Sequence, residues 1–79
     1  MAKRQKNYAL CIDNDGCPAS LEVLKLYEVI PDADAESENL IRVVDESGED
    51  YMYEASSFVR LDLSSDIERA IARARSQVI

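Results

Sequence analysis

The sequence predicts a mostly β domain, five short strands closed into a small barrel, with one α-helix at the C-terminal end. Three features carry that expectation. Leu40–Val44 and Tyr51–Tyr53 are runs rich in apolar, β-branched and aromatic residues, and they flank the turn-forming Asp45-Glu46-Ser47-Gly48-Glu49-Asp50, as a hairpin requires. A short break at Glu54-Ala55-Ser56-Ser57 leads into a last run, Phe58-Val59-Arg60-Leu61, so that hairpin, tight helical turn and closing strand follow one another. Ser65 and Glu68 then have the spacing of a capping box and open a segment with apolar residues at helical intervals.

The remaining elements follow in order. Tyr8-Ala9-Leu10-Cys11-Ile12 is an apolar run ended by Asp13-Asn14-Asp15-Gly16, a first strand followed by turn chemistry. Leu24 to Ile30 alternates as a second strand, with Tyr27 and Val29 on its inner face, and Pro31 stops it. Asp32 to Glu38 carries four acids and no large apolar side chain, which predicts a solvated, mobile loop or a cation-attracting lip beside a groove. In the C-terminal helix, Ile67, Ala70, Ile71, Ala74 and Val78 form a narrow apolar stripe, while Arg69, Arg73 and Arg75 lie elsewhere on the helix or toward its C-terminal end, where the dipole favours cations. Burial of Ile67 and Ile71 would contribute about 1.5 to 3 kcal/mol each.

Composition bounds the function. Seventy-nine residues make one domain near the size where a single core is only marginally sufficient, which favours a binding or adaptor role over an elaborate catalytic site. The expected organisation is a flexible basic tail over 1–7, a barrel over 8–63 and a helix over 64–79 packed on it. No apolar run approaches the roughly 18 to 20 residues that span a membrane. The basic start has no apolar core or cleavage site after it, so no secretory signal is read there, and a soluble, cytoplasmic protein is expected. The formal net charge is −7, and setting aside the three cations Lys3, Arg4 and Lys6 takes the rest to −10. Such a body repels polyphosphate and suits a basic protein or peptide.

No cofactor or metal is expected. The chain has no histidine, and two cysteines cannot supply four zinc ligands. Cys11 is read as free and buried and Cys17 as a loop residue, with a disulfide open only if the five residues between them fold back. Asp13-Asn14-Asp15-Gly16 resembles the first motif of the haloacid-dehalogenase-like phosphatases, which implies a nucleophilic Asp13 and an acid at Asp15. That chemistry also needs Mg²⁺, a distal lysine and a parallel α/β sheet, and these do not fit in 79 residues. A calcium loop starting at Asp13 would need its bidentate acid where Leu24 stands.

The order of elements over residues 8–62 resembles the Src-homology-3-like barrel, most specifically in Ala55-Ser56-Ser57-Phe58-Val59-Arg60-Leu61. The resemblance implies that Phe58 faces a ligand groove while Val59 and Leu61 enter the core. Peptide-binding members also carry an aromatic-rich first strand and a tryptophan opening strand three, on which proline-rich ligands rest. Ala9-Leu10-Cys11-Ile12-Asp13 lacks those aromatics and the chain has no tryptophan, so a proline-rich ligand is not implied. The chain as a whole is also similar to short bacterial proteins of uncharacterised function.

Tyr8, Tyr27, Tyr51, Tyr53 and Phe58 make up the aromatic set. Tyr51 and Tyr53 point to one side of their strand and Met52 to the other. With Met52 inside, both tyrosines would sit outside near Phe58, where they either hold a cationic side chain or pack against the C-terminal helix. The reading is a small acidic, non-enzymatic protein-interaction module, monomeric or weakly dimeric. Tyr53, Phe58, Tyr51, Asp34 and Glu36 are its candidate partner-binding residues. The alternatives are a nucleic-acid or ribosome-associated barrel using the basic tail and helix arginines, and a metal-dependent hydrolase at Asp13 and Asp15.

Overall fold

The computed structural model describes residues 7–77; Lys3, Arg4 and Lys6 of the expected basic tail, and Val78 of the helix stripe, lie outside the described residues. Five strands form two antiparallel sheets. β1 (Tyr8–Cys11), β2 (Leu26–Glu28) and β5 (Phe58–Leu61) make one in the order β2-β1-β5, and β3 (Leu40–Val44) with β4 (Asp50–Glu54) makes the other. A short helix α1 (Ala33–Ser37) precedes β3, one 3-10 turn (Ala55–Ser57) joins β4 to β5, and α2 (Ser65–Gln77) closes the described chain. The chain after β2 links the sheets through a bridge between Val29 and Val43 and an Ile30 N–H to Arg42 C=O bond of 2.9 Å.

Core packing follows from residue size on β1. Its inward positions are the small residues Ala9 and Cys11, both fully buried, and they lie directly beside Tyr27 of β2 and Phe58 of β5. Small side chains on the central strand leave room for the flanking aromatic rings to meet over it. Tyr27 and Phe58 do so edge to face, with centroids 6.3 Å apart, the favoured arrangement for two quadrupoles. Ile41 and Val43 of β3, Val29 after β2 and Leu21 of the β1–β2 loop complete the core.

The hairpin lies where the sequence puts it. Asp45 N–H donates to Glu49 C=O at 3.0 Å and Gly48 N–H to Asp45 C=O at 3.0 Å, and Gly48 takes φ +85°, a left-handed conformation that favours glycine.

Several expectations are corrected. Phe58 is buried, at 7% exposure, while Val59, expected in the core, is 45% exposed and Leu61 is half-buried. Side chains alternate along β5, so pairing Cys11 with Phe58 on the inner face turns Val59 outward. The same parity inverts β4. Tyr51 and Tyr53 stand opposite the buried Val43 and Ile41, and Met52 projects to the other face at 49% exposure. β2 is shorter than Leu24 to Ile30, because Leu24 takes φ 69° and gives its N–H to Cys11 C=O at 2.7 Å instead of extending the strand.

The acidic stretch is also more ordered than its charge implied. Asp32 Oδ1 accepts from Ala35 N–H at 3.0 Å and caps α1, Ala35 is buried, and Asn39 (φ 62°) ends the turn. The cap of α2 is Ser64 rather than Ser65, with Ser64 Oγ accepting from Ile67 N–H at 3.3 Å, and Glu68 Oε1 accepts from Asn7 Nδ2 at 3.3 Å. Tyr51 stays half exposed, and the contacts that α2 shows lie elsewhere. This helix reaches Tyr8 and Leu26 through Arg75, whose guanidinium lies 5.7 Å from the Tyr8 ring centre and donates to Leu26 C=O. Ile67 stays 49% exposed and Ile71 half-buried, so the helix supplies less burial than its stripe promised.

The inverted parity of β5 makes a direct prediction. Phe58→Ala should cost about 3 to 5 kcal/mol in urea unfolding, a large share of the stability of so small a domain. Val59→Ala should stay within about 0.5 kcal/mol.

Candidate functional site

Two carboxylates at the hairpin turn fix the tyrosines. Asp45 is buried and accepts on Oδ1 from Ser47 N–H at 2.8 Å and from Ser47 Oγ, and on Oδ2 from the Tyr53 hydroxyl at 2.5 Å. The Ser47 hydroxyl, followed by the Tyr53 hydroxyl, holds the Asp45 carboxyl below its ordinary value. Tyr53 is pushed up to about 12, by burial first and by its bond to Asp45 second. Next door, Glu46 accepts from the Tyr27 hydroxyl at 2.5 Å and pairs with Lys25 at 2.7 Å, and Lys25 first and Tyr27 second hold its carboxyl low. Tyr27 in turn is raised well above the usual phenol range, mainly by burial. Glu46 N–H also donates to Ser20 C=O at 3.0 Å, so the β1–β2 loop is tied to the hairpin.

This framework leaves a cleft of about 530 Å³ between the β1–β2 loop and the end of the hairpin. Asp13, Asp15 and Glu54 bring three carboxylates to it, and Met52, Tyr53 and Cys17 give it an apolar and aromatic lining. The loop holds its shape locally, since Asp13 Oδ1 accepts from Asp15 N–H at 2.9 Å and Asn14 C=O from Cys17 N–H at 2.9 Å. Cys11 and Cys17 are both free. Partial burial raises the Cys17 thiol, and Cys11 and the two aspartates add to the rise, which opposes thiolate chemistry.

The candidate residues Tyr53, Phe58, Tyr51, Asp34 and Glu36 do not assemble as one patch. Tyr53 lines the acidic cleft. Phe58 lies in the core behind it, 6.3 Å from the Tyr53 ring centre. Tyr51 is half exposed and donates to Glu49 at 3.2 Å. Asp34 lines a smaller cleft of about 210 Å³ on the Met52 face, and Glu36 pairs with Arg60 at 3.5 Å. That second cleft also holds Arg42, whose guanidinium contacts Asp32 at 2.8 Å and Asp50 at 2.9 Å. An internal cation partly neutralises it, so the cleft at Asp13, Asp15 and Glu54 is the more electronegative.

The sequence marks Asp13 and Asp15 as turn residues after β1 that also resemble a metal-dependent motif, while Glu54, Met52 and Cys17 carry no site signal there. Among the described residues no group of three or more His, Cys, Asp or Glu side chains is placed to hold a metal ion. Nor is any described helix long and apolar enough to cross a membrane. Comparison with protein-family models, with curated proteins and with solved structures returns no match.

The tyrosine–carboxylate pairs give stability two pH limits. Asp45 has a lowered pKa in the fold, so its contribution is present above the unfolded value of about 4 and lost as pH falls below it. Tyr53 has a raised pKa, so its contribution is complete below about pH 10 and lost as pH rises toward 12. Urea unfolding across pH should show Tyr53→Phe losing less stability than the parent between pH 10 and 12, and Asp45→Asn losing less between pH 5 and 3.

Proposed function

We propose that the protein is a small non-catalytic interaction module whose acidic cleft takes a basic, partly apolar segment of another protein. The observation that carries the reading is the grouping of Asp13, Asp15 and Glu54 around Met52 and Tyr53. Lysine or arginine side chains would meet the carboxylates while apolar neighbours rest on the Met52 thioether and the Tyr53 ring. The overall charge of −7 adds long-range attraction for a cationic partner. A cytoplasmic setting suits two free cysteines.

The Src-homology-3-like barrel remains the architecture we infer. Its support is the order of five strands, the β1–β5 and β1–β2 pairings, the bridge that carries the chain after β2 into the second sheet, and the 3-10 turn before β5. In that frame the cleft lies between the long first loop and the hairpin's end, and Tyr53 takes the ligand-facing place first assigned to Phe58. A nucleic-acid reading has less support, because Arg69 is paired with Asp66 and Arg75 with Leu26 C=O, which leaves these helix cations engaged within the chain.

Neutralising the cleft with Asp13→Asn, Asp15→Asn and Glu54→Gln together should weaken a lysine-rich peptide about tenfold or more in a titration at low salt, with the unfolding midpoint little changed. Equal affinity of parent and triple variant would refute the reading.

A further inference from the structure

The further inference rests on the acidic-cleft reading and concerns how the cleft is filled. Among the described residues β4 has a neighbouring strand on one side only, namely β3. The bonds Asp45 N–H to Glu49 C=O and Ala55 N–H to Asn39 C=O, each 3.0 Å, set the parity of the ladder. Antiparallel alternation then directs the backbone groups of Tyr51 and Tyr53 toward β3 and those of Asp50, Met52 and Glu54 away from it. β3 obeys the same parity, since Arg42 C=O, on the side away from β4, accepts from Ile30 N–H at 2.9 Å.

The cleft meets β4 at Met52, Tyr53 and Glu54, two of which carry the outward backbone groups, and it extends to Leu40 at the start of β3. Tyr51 and Met52 are 50% and 49% exposed on the same strand. β5 differs, because its Arg60 is engaged by Glu36 of α1.

We propose that the outer edge of β4 is a strand-addition site for an extended segment, from a different protein, that alternates basic and apolar residues. Its backbone pairs with the outward N–H and C=O groups of Asp50, Met52 and Glu54; its cations lie on the face that Met52 and Glu54 share and meet Glu54, with Asp13 and Asp15 across the cleft, and its apolar side chains lie on the other face, beside the half-exposed Tyr51. A second copy does not fit, since pairing β4 with β4 sets Glu49, Asp50 and Glu54 against the same three acids.

The test uses the full chain and synthetic peptides: alternating lysine and valine, the same peptide N-methylated at odd or at even positions, and alternating glutamate and valine. The lysine–valine peptide should bind and slow hydrogen exchange of the Met52 and Glu54 amides. One of its two N-methylated forms should bind about tenfold or more weaker than the other, because only one peptide edge faces β4. Binding that shifts the Asp13 and Asp15 resonances but leaves Met52 and Glu54 exchange unchanged, with both methylated forms alike, overturns strand addition and leaves the acidic cleft standing. No binding of the lysine–valine peptide, or equal binding of the glutamate–valine peptide, overturns both.

Discussion

Phe58 lies between Tyr27 and Tyr53, and the position of both sheets depends on that contact. Tyr27 and Phe58 belong to the β2-β1-β5 sheet and Tyr53 to the hairpin, so the three rings pack one sheet against the other, beside the backbone link from Val29 and Ile30 to β3. Both tyrosines carry their hydroxyls to carboxylates of one turn, Tyr27 to Glu46 and Tyr53 to Asp45. Each ring therefore buries an apolar body while its polar tip is satisfied, which avoids the penalty of an unpaired buried hydroxyl. The Lys25–Glu46 ion pair beside them is half exposed and adds at most about 1 kcal/mol, so ring packing and the hydroxyl bonds dominate the junction.

That junction decides what β4 shows to the outside. With Tyr53 drawn toward Phe58 and Asp45, strand parity forces Met52 to the opposite face and leaves the backbone of Asp50, Met52 and Glu54 on the side away from β3. The tie from Glu46 to Ser20 sets the first loop across from this edge, with Asp13 and Asp15 on the loop's near side. The acidic cleft is thus a by-product of the core contacts rather than a separately built feature. A change that loosens Phe58 would alter the cleft without touching any residue that lines it.

Much of this order is written locally in the chain. The hairpin was legible because Asp45-Glu46-Ser47-Gly48 states its turn geometry, and β1 because an apolar run meets Asp-Asn-Asp-Gly. What was not legible is which side of each strand faces inward. Phe58-Val59-Arg60-Leu61 and Tyr51-Met52-Tyr53 alternate equally well in either parity, and the choice is made by distant partners, Cys11 for Phe58 and Ile41 for Tyr53. The α1 helix was hidden because the four acids of the stretch from Asp32 to Glu38 dominate the reading, while its Asp32 cap and the buried Ala35 are signals of position rather than composition. The cleft could not be assembled from sequence because Asp13 and Glu54 are brought together only by the fold.

The most direct measurement of the ring junction is a nuclear Overhauser spectrum of the free protein recorded with and without a soluble paramagnetic probe. Cross-peaks from the Phe58 ring to both Tyr27 and Tyr53, with Phe58 signals protected from the probe and the Met52 methyl broadened by it, are the predicted result. Phe58 broadened and Met52 protected, with no contact between Phe58 and Tyr27, would contradict it.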